Sequence, residues 1–185
     1  MLKELKQISH SIKYENPYWQ YGFDVYEMPN GEHGEYHYVH SRGSVMVIPH
    51  LEDDLFLLTK QYRYLNRKMS LEFPGGGQLP NLTSEEQAQR ELQEEAGRSG
   101  TLTFLGTFNP CNGITDESCS VFLATDLQTV SDDVHHDDSE EFVRSIVTRR
   151  GLQALIRSGE LWDGMTLAAW QLFLAYEDSL SFRSK

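Results

Sequence analysis

Residues 90–97, Arg-Glu-Leu-Gln-Glu-Glu-Ala-Gly, set three carboxylates, Glu91, Glu94 and Glu95, within about one turn of a helix. Residues three and four apart on a helix are neighbours, at roughly 5–6 Å between Cβ atoms, and like charges there repel by a few tenths of a kcal/mol. A divalent cation turns that repulsion into a site. Mg²⁺ takes hard oxygen ligands, commonly one or two carboxylates with water and substrate phosphate filling the remaining positions. The competing reading of such a charge run is an exposed acidic helix face. The flanking residues favour the metal. Upstream lies Glu72-Phe73-Pro74-Gly75-Gly76-Gly77, where glycines let backbone approach an ion closely and a carbonyl such as that of Gly75 can add an uncharged oxygen. Thr83-Ser84-Glu85-Glu86-Gln87 predicts a helix start: Thr83 with Glu86, or Ser84 with Gln87, has capping-box spacing, and Glu85 and Glu86 suit the positive end of the helix dipole. Gly97 predicts the stop.

Other groups carry weaker signals. Arg63 follows Gln61-Tyr62 at an expected strand end, and its guanidinium matches phosphate oxygens bidentately; the alternative is an ordinary surface ion pair. Tyr18, Trp19 and Tyr36 offer flat faces for a nucleobase or, equally, for packing within a hairpin. Residues 131–141, Ser-Asp-Asp-Val-His-His-Asp-Asp-Ser-Glu-Glu, read as a solvated acidic loop. Its adjacent His135 and His136 point apart if extended, which favours solvated histidines over a transition-metal site.

Gly76, five residues, Leu82, seven residues, then Arg90-Glu91-Leu92-x-Glu94-Glu95-x-Gly97 resembles the Nudix box. The chain departs from the pattern at Leu82, where the family has glutamate, and at Arg98, where it usually has an aliphatic residue. The family glutamate generally helps to hold the box arginine, and Glu86 or Glu94, four residues either side of Arg90, can serve instead. Asn16-Pro17-Tyr18-Trp19, Asn30-Gly31, Gln61-Tyr62-Arg63-Tyr64, Glu72-Phe73-Pro74-Gly75-Gly76, and Asn109-Pro110 with Thr115-Asp116-Glu117 resemble the ADP-ribose and nucleoside-diphosphate-sugar pyrophosphatase branch. That resemblance implies a mixed-sheet α/β/α sandwich with an N-terminal antiparallel β-hairpin arm. It implies Mg²⁺, or Mn²⁺ in its place, held by Gly75, Glu91, Glu94 and Glu95, and a general base at Glu140 or Glu141, with Glu140 preferred. Arg63, Tyr18, Trp19 and Tyr36 would contact a nucleotide-sugar substrate such as ADP-ribose or GDP-mannose, and the arm would join a homodimer. The box equally supports hydrolysis of nucleoside triphosphates or dinucleoside polyphosphates, and a catalytically silent ADP-ribose-binding module is a further alternative.

At 185 residues the chain is expected to form residues 1–41 as the arm and 42–185 as one hydrolase domain. Its formal charge of −12 argues against a broad nucleic-acid or anionic-membrane surface, so an anionic substrate needs a metal and local arginines. Only Cys111 and Cys119 are present, no apolar run approaches the roughly 20 residues that span a bilayer, and the start lacks a signal-peptide core. A soluble cytoplasmic protein is the expectation.

The elements that must position these groups follow from periodicity. Residues 23–28 and 35–40 flank Pro29-Asn30-Gly31 as a hairpin. Residues 44–48 and 55–59 read as buried strands about an acidic turn. Strands are expected at 102–108, 120–124 and 142–148, and helices at 152–157 and 166–177, which together give a mixed α/β layer fold.

Overall fold

The computed structural model describes residues 3–130 and 142–183. The chain divides into two compact units, Met1–Gly43 with Asn109–Ser118, and Ser44–Phe108 with Cys119–Lys185.

In the first unit, β1 (Lys6–Glu15), β2 (Trp19–Glu27) and β3 (His33–Ser41) form an antiparallel sheet in sequence order. The expected hairpin is β2 and β3, with Phe23 opposite His37. Gly31 makes its turn at φ 88° and donates to the Met28 carbonyl at 2.8 Å, a backbone conformation that glycine adopts without a Cβ penalty. β1 was not expected. His10 stands between Ile8 and Ile12, the only aliphatics in its ten residues, so the apolar alternation of a half-buried strand is missing. The strand exists through its ladder to β2. Residues 113–116 line the outer side of β3: Val39 N–H donates to the Ile114 carbonyl at 2.8 Å, Tyr36 OH to the Gly113 carbonyl at 3.2 Å, and His40 Nδ1 lies 2.5 Å from Asp116 Oδ2.

The second unit holds β4 (Ser44–Leu51), a 3-10 turn at Glu52–Asp54, β5 (Leu55–Arg63), β6 (Lys68–Glu72), β7 (Gly75–Gly77), α1 (Ser84–Glu94), β8 (Arg98–Phe108), β9 (Cys119–Thr129), β10 (Val143–Thr148), α2 (Arg149–Ser158) and α3 (Gly164–Arg183). Its sheet runs β10-β5-β4-β9-β8, with β6 added to β5 and β7 to β4. β4 and β9 are parallel and the other pairs antiparallel. Side chains alternate across a strand, and β4 shows the result. Val45 and Val47 pack with Ala88, Leu92 and Ala96 of the α1 segment. Met46 and Ile48 pack with Leu152 of α2 and with Trp170 and Phe173 of α3. Helices therefore cover both faces of a mixed sheet, the expected α/β/α sandwich with an antiparallel β element at the N-terminus. No helix among the described residues is long and apolar enough to cross a membrane.

Candidate active site

α1 opens with a complete capping box: Glu86 N–H donates to Thr83 Oγ1 at 3.2 Å and Thr83 N–H to Glu86 Oε2 at 2.7 Å. The Thr83 N–H, and then the Thr83 hydroxyl donating to the same Oε2 at 2.8 Å, hold the Glu86 carboxyl below its ordinary value. Ala88, Leu92 and Ala96, four apart and at most 1% exposed, bury one stripe of the segment against the sheet. With that stripe fixed, the next stripe, Gln87, Glu91 and Glu95, is turned to the glycine loop.

Two glycines of that loop each meet one carboxylate. Gly75 N–H donates to Glu95 Oε2 at 3.2 Å. A Cβ added at Gly76 would lie 2.8 Å from the Glu91 carboxyl carbon and closer still to its Oε1, so only glycine lets this carboxylate lie on the backbone. Gln87 Nε2 donates to the same Oε1 at 2.7 Å. Glu95 is 5% exposed, and a charge so buried demands compensation. Its surroundings include the guanidinium of Arg63, which feels the field of Glu95 as well as that of Glu72.

Three other predicted residues are placed as follows. Glu94 Oε1 accepts from Arg90 Nε at 2.7 Å, and this bond raises the arginine pKa. Of the two partners open to Arg90, Glu94 is the one used, while Glu86 is engaged in the cap. Arg63 ends β5 as expected, but Nε and Nη2 are both directed at Glu72, with Nε to Oε1 at 2.7 Å. Tyr18 (79% exposed), Trp19 and Tyr36 all belong to the first unit, where Trp19 lies 5.5 Å from the Tyr14 ring. Glu140, Glu141, His135 and His136 lie outside the described residues.

Sequence reasoning missed four positioning groups. Glu72 is 2% exposed; a charge between Leu71 and Phe73 is itself a signal, since a buried carboxylate requires a partner. Thr166 Oγ1 accepts from Phe73 N–H at 3.2 Å and thereby ties the Glu72-Phe73-Pro74 turn to the start of α3. Arg144 Nε donates to the Glu95 carbonyl at 2.9 Å, and Val130 N–H donates to Gly97 O at 3.2 Å, both at the C-terminal turn after α1. Gln87 is the fourth side chain, Val130 acting through its backbone alone. None of these pairings has a short sequence spacing except Gln87 with Glu91.

Comparison with known proteins agrees with the geometry. The model of the NUDIX domain matches residues 40–159. This chain belongs to the NUDIX family. It is 32% identical over 160 residues to an ADP-ribose pyrophosphatase of Bacillus subtilis (strain 168), covering 83% of each chain. It is 28% identical to the methanol dehydrogenase activator of Bacillus methanolicus, covering 86% of each. Among solved structures, an ADP compounds hydrolase superposes with a TM-score of 0.84 at 20% identity over 97% of both chains, a likeness of fold. The protein is a NUDIX hydrolase related to ADP-ribose pyrophosphatases.

The NUDIX box of this chain thus presents two carboxylates, Glu91 and Glu95, on successive glycines. Among the described residues no three His, Cys, Asp or Glu side chains converge as a metal-binding group. Two carboxylates are nevertheless a donor set that suits Mg²⁺, which retains water and substrate phosphate in its remaining positions. The burial of Glu95 beside Glu91 fits a cation there.

Proposed function

We propose that this NUDIX protein hydrolyses the pyrophosphate bond of ADP-ribose or a related nucleoside diphosphate sugar, such as GDP-mannose, to a nucleoside monophosphate and a sugar phosphate. The observation that carries the reading is the pair Glu91 and Glu95 laid on Gly76 and Gly75, with Arg63 in the field of Glu95. The ADP-ribose pyrophosphatase name of a 32% identical relative supports the substrate class.

Glu91 and Glu95, with the Gly75 carbonyl, would hold Mg²⁺ or Mn²⁺. An ion held there would neutralise charge on the diphosphate and lower the pKa of the attacking water. Glu94 is proposed as a further ligand, while its Oε1 holds Arg90 and so fixes the last turn of α1. In the hydrolysis, water adds its oxygen to one phosphorus, the bridging P–O bond breaks, and the bridging oxygen leaves on the other phosphate. Glu140 is our choice as the base that accepts the water proton, with Glu141 as the neighbour to test beside it. Glu72 takes Nε and Nη2 of Arg63, which leaves Nη1 to donate to the leaving phosphate. Tyr18, Trp19 and Tyr36 are the proposed stacking surface for the base.

In the same reading residues 1–41 are an arm that joins two copies into a homodimer, residues 42–185 are the hydrolase domain, and the protein works in the cytoplasm. The exposed Ile8, Ile12 and Tyr14 of β1 support the arm as a contact surface. Light scattering behind size exclusion should give twice the chain mass for the full protein, and the monomer mass when residues 1–41 are removed.

The test of activity is product chromatography after separate incubation with ADP-ribose, GDP-mannose and ATP plus Mg²⁺. AMP and ribose phosphate from ADP-ribose, with ATP left intact, is the expected result. Release of pyrophosphate from ATP as the dominant reaction would move the assignment to nucleoside triphosphates, and binding of ADP-ribose without turnover would make the protein a silent module.

A further inference from the structure

Gln87 is 2% exposed, and both ends of its carboxamide are in use. Nε2 donates to Glu91 Oε1 at 2.7 Å, and Oε1 accepts from the Leu79 N–H at 3.3 Å. Its neighbours on the buried face of α1, Ala88 and Leu92, are fully buried and apolar. A carboxamide among them is desolvated at a cost that only complete hydrogen bonding offsets. From these contacts we infer that Gln87 is a positioning residue that sets the Glu91 carboxylate in the orientation in which it takes a divalent cation. The inference rests on the reading of Glu91 as a metal ligand.

Glu91 is confined from two sides. Gly76 forms a floor on which its carboxyl group lies, with no room for a Cβ. The Gln87 amide, one helical turn earlier on the same face, tethers Oε1. A glutamate has several rotatable bonds, and ordering it alone costs rotamer entropy. The amide bond supplies that order before any ion arrives.

The same carboxamide reaches the loop that leads into α1. Gln78 Nε2 donates to the carbonyls of Leu79 at 3.0 Å and Leu82 at 2.6 Å, closing the turn, and Leu79 N–H delivers that turn to Gln87. Leu82 brings no charge to this turn. Gln87 is the side chain that connects the turn to a site carboxylate, and partners of this outer kind typically alter metal affinity or activity by about 10–100-fold when removed.

The experiment uses the full-length protein without substrate. Free Mn²⁺ is followed by electron paramagnetic resonance during titration of the wild type, Gln87→Met, Gln87→Ala and Glu91→Gln. Methionine keeps the length and bulk of glutamine and removes both hydrogen bonds; alanine serves should methionine fail to pack. Thermal midpoints report the fold. For Gln87→Met we expect Mn²⁺ affinity to fall about 10-fold or more, and the Mg²⁺ concentration for half-maximal hydrolysis to rise in parallel. Substrate KM at saturating Mg²⁺ should stay near the wild-type value, which a general loss of structure would not allow. Wild-type Mn²⁺ affinity in a folded Gln87→Met or Gln87→Ala, with Glu91→Gln weakened, overturns the role of Gln87 and leaves Glu91 a ligand. Equal affinity in wild type and Glu91→Gln removes the ligand reading, and this inference falls with it.

Discussion

The α1 segment with its glycine loop and the three-stranded N-terminal sheet solve the problem of order in opposite ways. Around α1, a dry stripe of Ala88, Leu92 and Ala96 fixes the helix on the sheet, and the polar groups beside it are aimed by that packing. In the first unit almost every residue of β1 is exposed, and the side chains are held by polar pairs: His10 and Tyr38 on Asp24, Tyr21 on His37, His40 on Asp116. Hydrophobic burial is non-directional but strong, whereas each exposed hydrogen bond contributes modestly and can be exchanged for water. The first region is therefore suited to holding a few atoms at fixed separation, and the second to presenting a surface that can adapt.

The largest expected contrast is in stability. Leu92 is fully buried and Ile12 is 39% exposed. Leu92→Ala should cost about 2–5 kcal/mol by loss of transfer energy and the cavity left behind, and Ile12→Ala within about 0.5 kcal/mol as a surface change. Urea denaturation of both variants makes the comparison, and equal losses would show that β1 is packed as tightly as the helix.

Next is the site itself. Glu95→Gln keeps the size of the side chain and its bond from Gly75 N–H, so the thermal midpoint should hold, while metal-dependent turnover falls on the order of 10²–10³-fold. Near-normal turnover in a folded Glu95→Gln would remove the carboxylate pair from the mechanism. A finer probe is the glycine floor. At Gly76 a methyl group collides with the Glu91 carboxylate, while a Cβ at Gly77 meets nothing within 4 Å. Displacements near 1 Å at a reacting centre cost about 10²-fold, so Gly76→Ala should lose roughly that much in kcat/KM and Gly77→Ala should stay close to wild type. Similar losses in both would mean that the loop is needed for its flexibility and not for the approach of Glu91.

What could be read before the fold was known separates along the same line. The capping box of Thr83 with Glu86, the stop at Gly97, the Arg90–Glu94 pair and the common face of Glu91 and Glu95 are all set within eight residues or fewer by helical geometry, so spacing reveals them. The short continuous apolar runs at 44–48 and 55–59, parted by an acidic turn, revealed the buried strands β4 and β5. Arg63 on Glu72 is nine residues apart across a β turn, Phe73 on Thr166 is 93 apart, and Arg144 on Glu95 is 49 apart. Such partners are chosen by tertiary packing, and no local period records them. β7, only three glycines long, has no side chains to alternate. Glu94 shows local reasoning at its narrowest, because four-residue spacing offered Arg90 both Glu86 and Glu94, and only the structure shows that Glu94 is the partner while Glu86 closes the cap.

The smallest effect belongs to Asp24 in the exposed sheet and asks whether polar pairs alone hold that unit. Burial pushes its carboxyl pKa up, but bonds from His10, Gln7 and Tyr38 outweigh this and leave it below the ordinary value. A carboxyl whose folded pKa is depressed stabilises the fold fully above its unfolded pKa, about 3.9, and the contribution is lost as pH falls through the folded value. Asp24→Asn should therefore lower the opening free energy of β1 and β2 amides by roughly 1 kcal/mol at pH 7, measured by hydrogen exchange, and the gap to wild type should close as the pH is taken well below 4. α1 amides should be indifferent to the substitution at either pH. A gap that survives acidification unchanged would mean that the shape of Asp24, and not its charge, orders the sheet, and the two regions would then differ in exposure without differing in the kind of force that holds them.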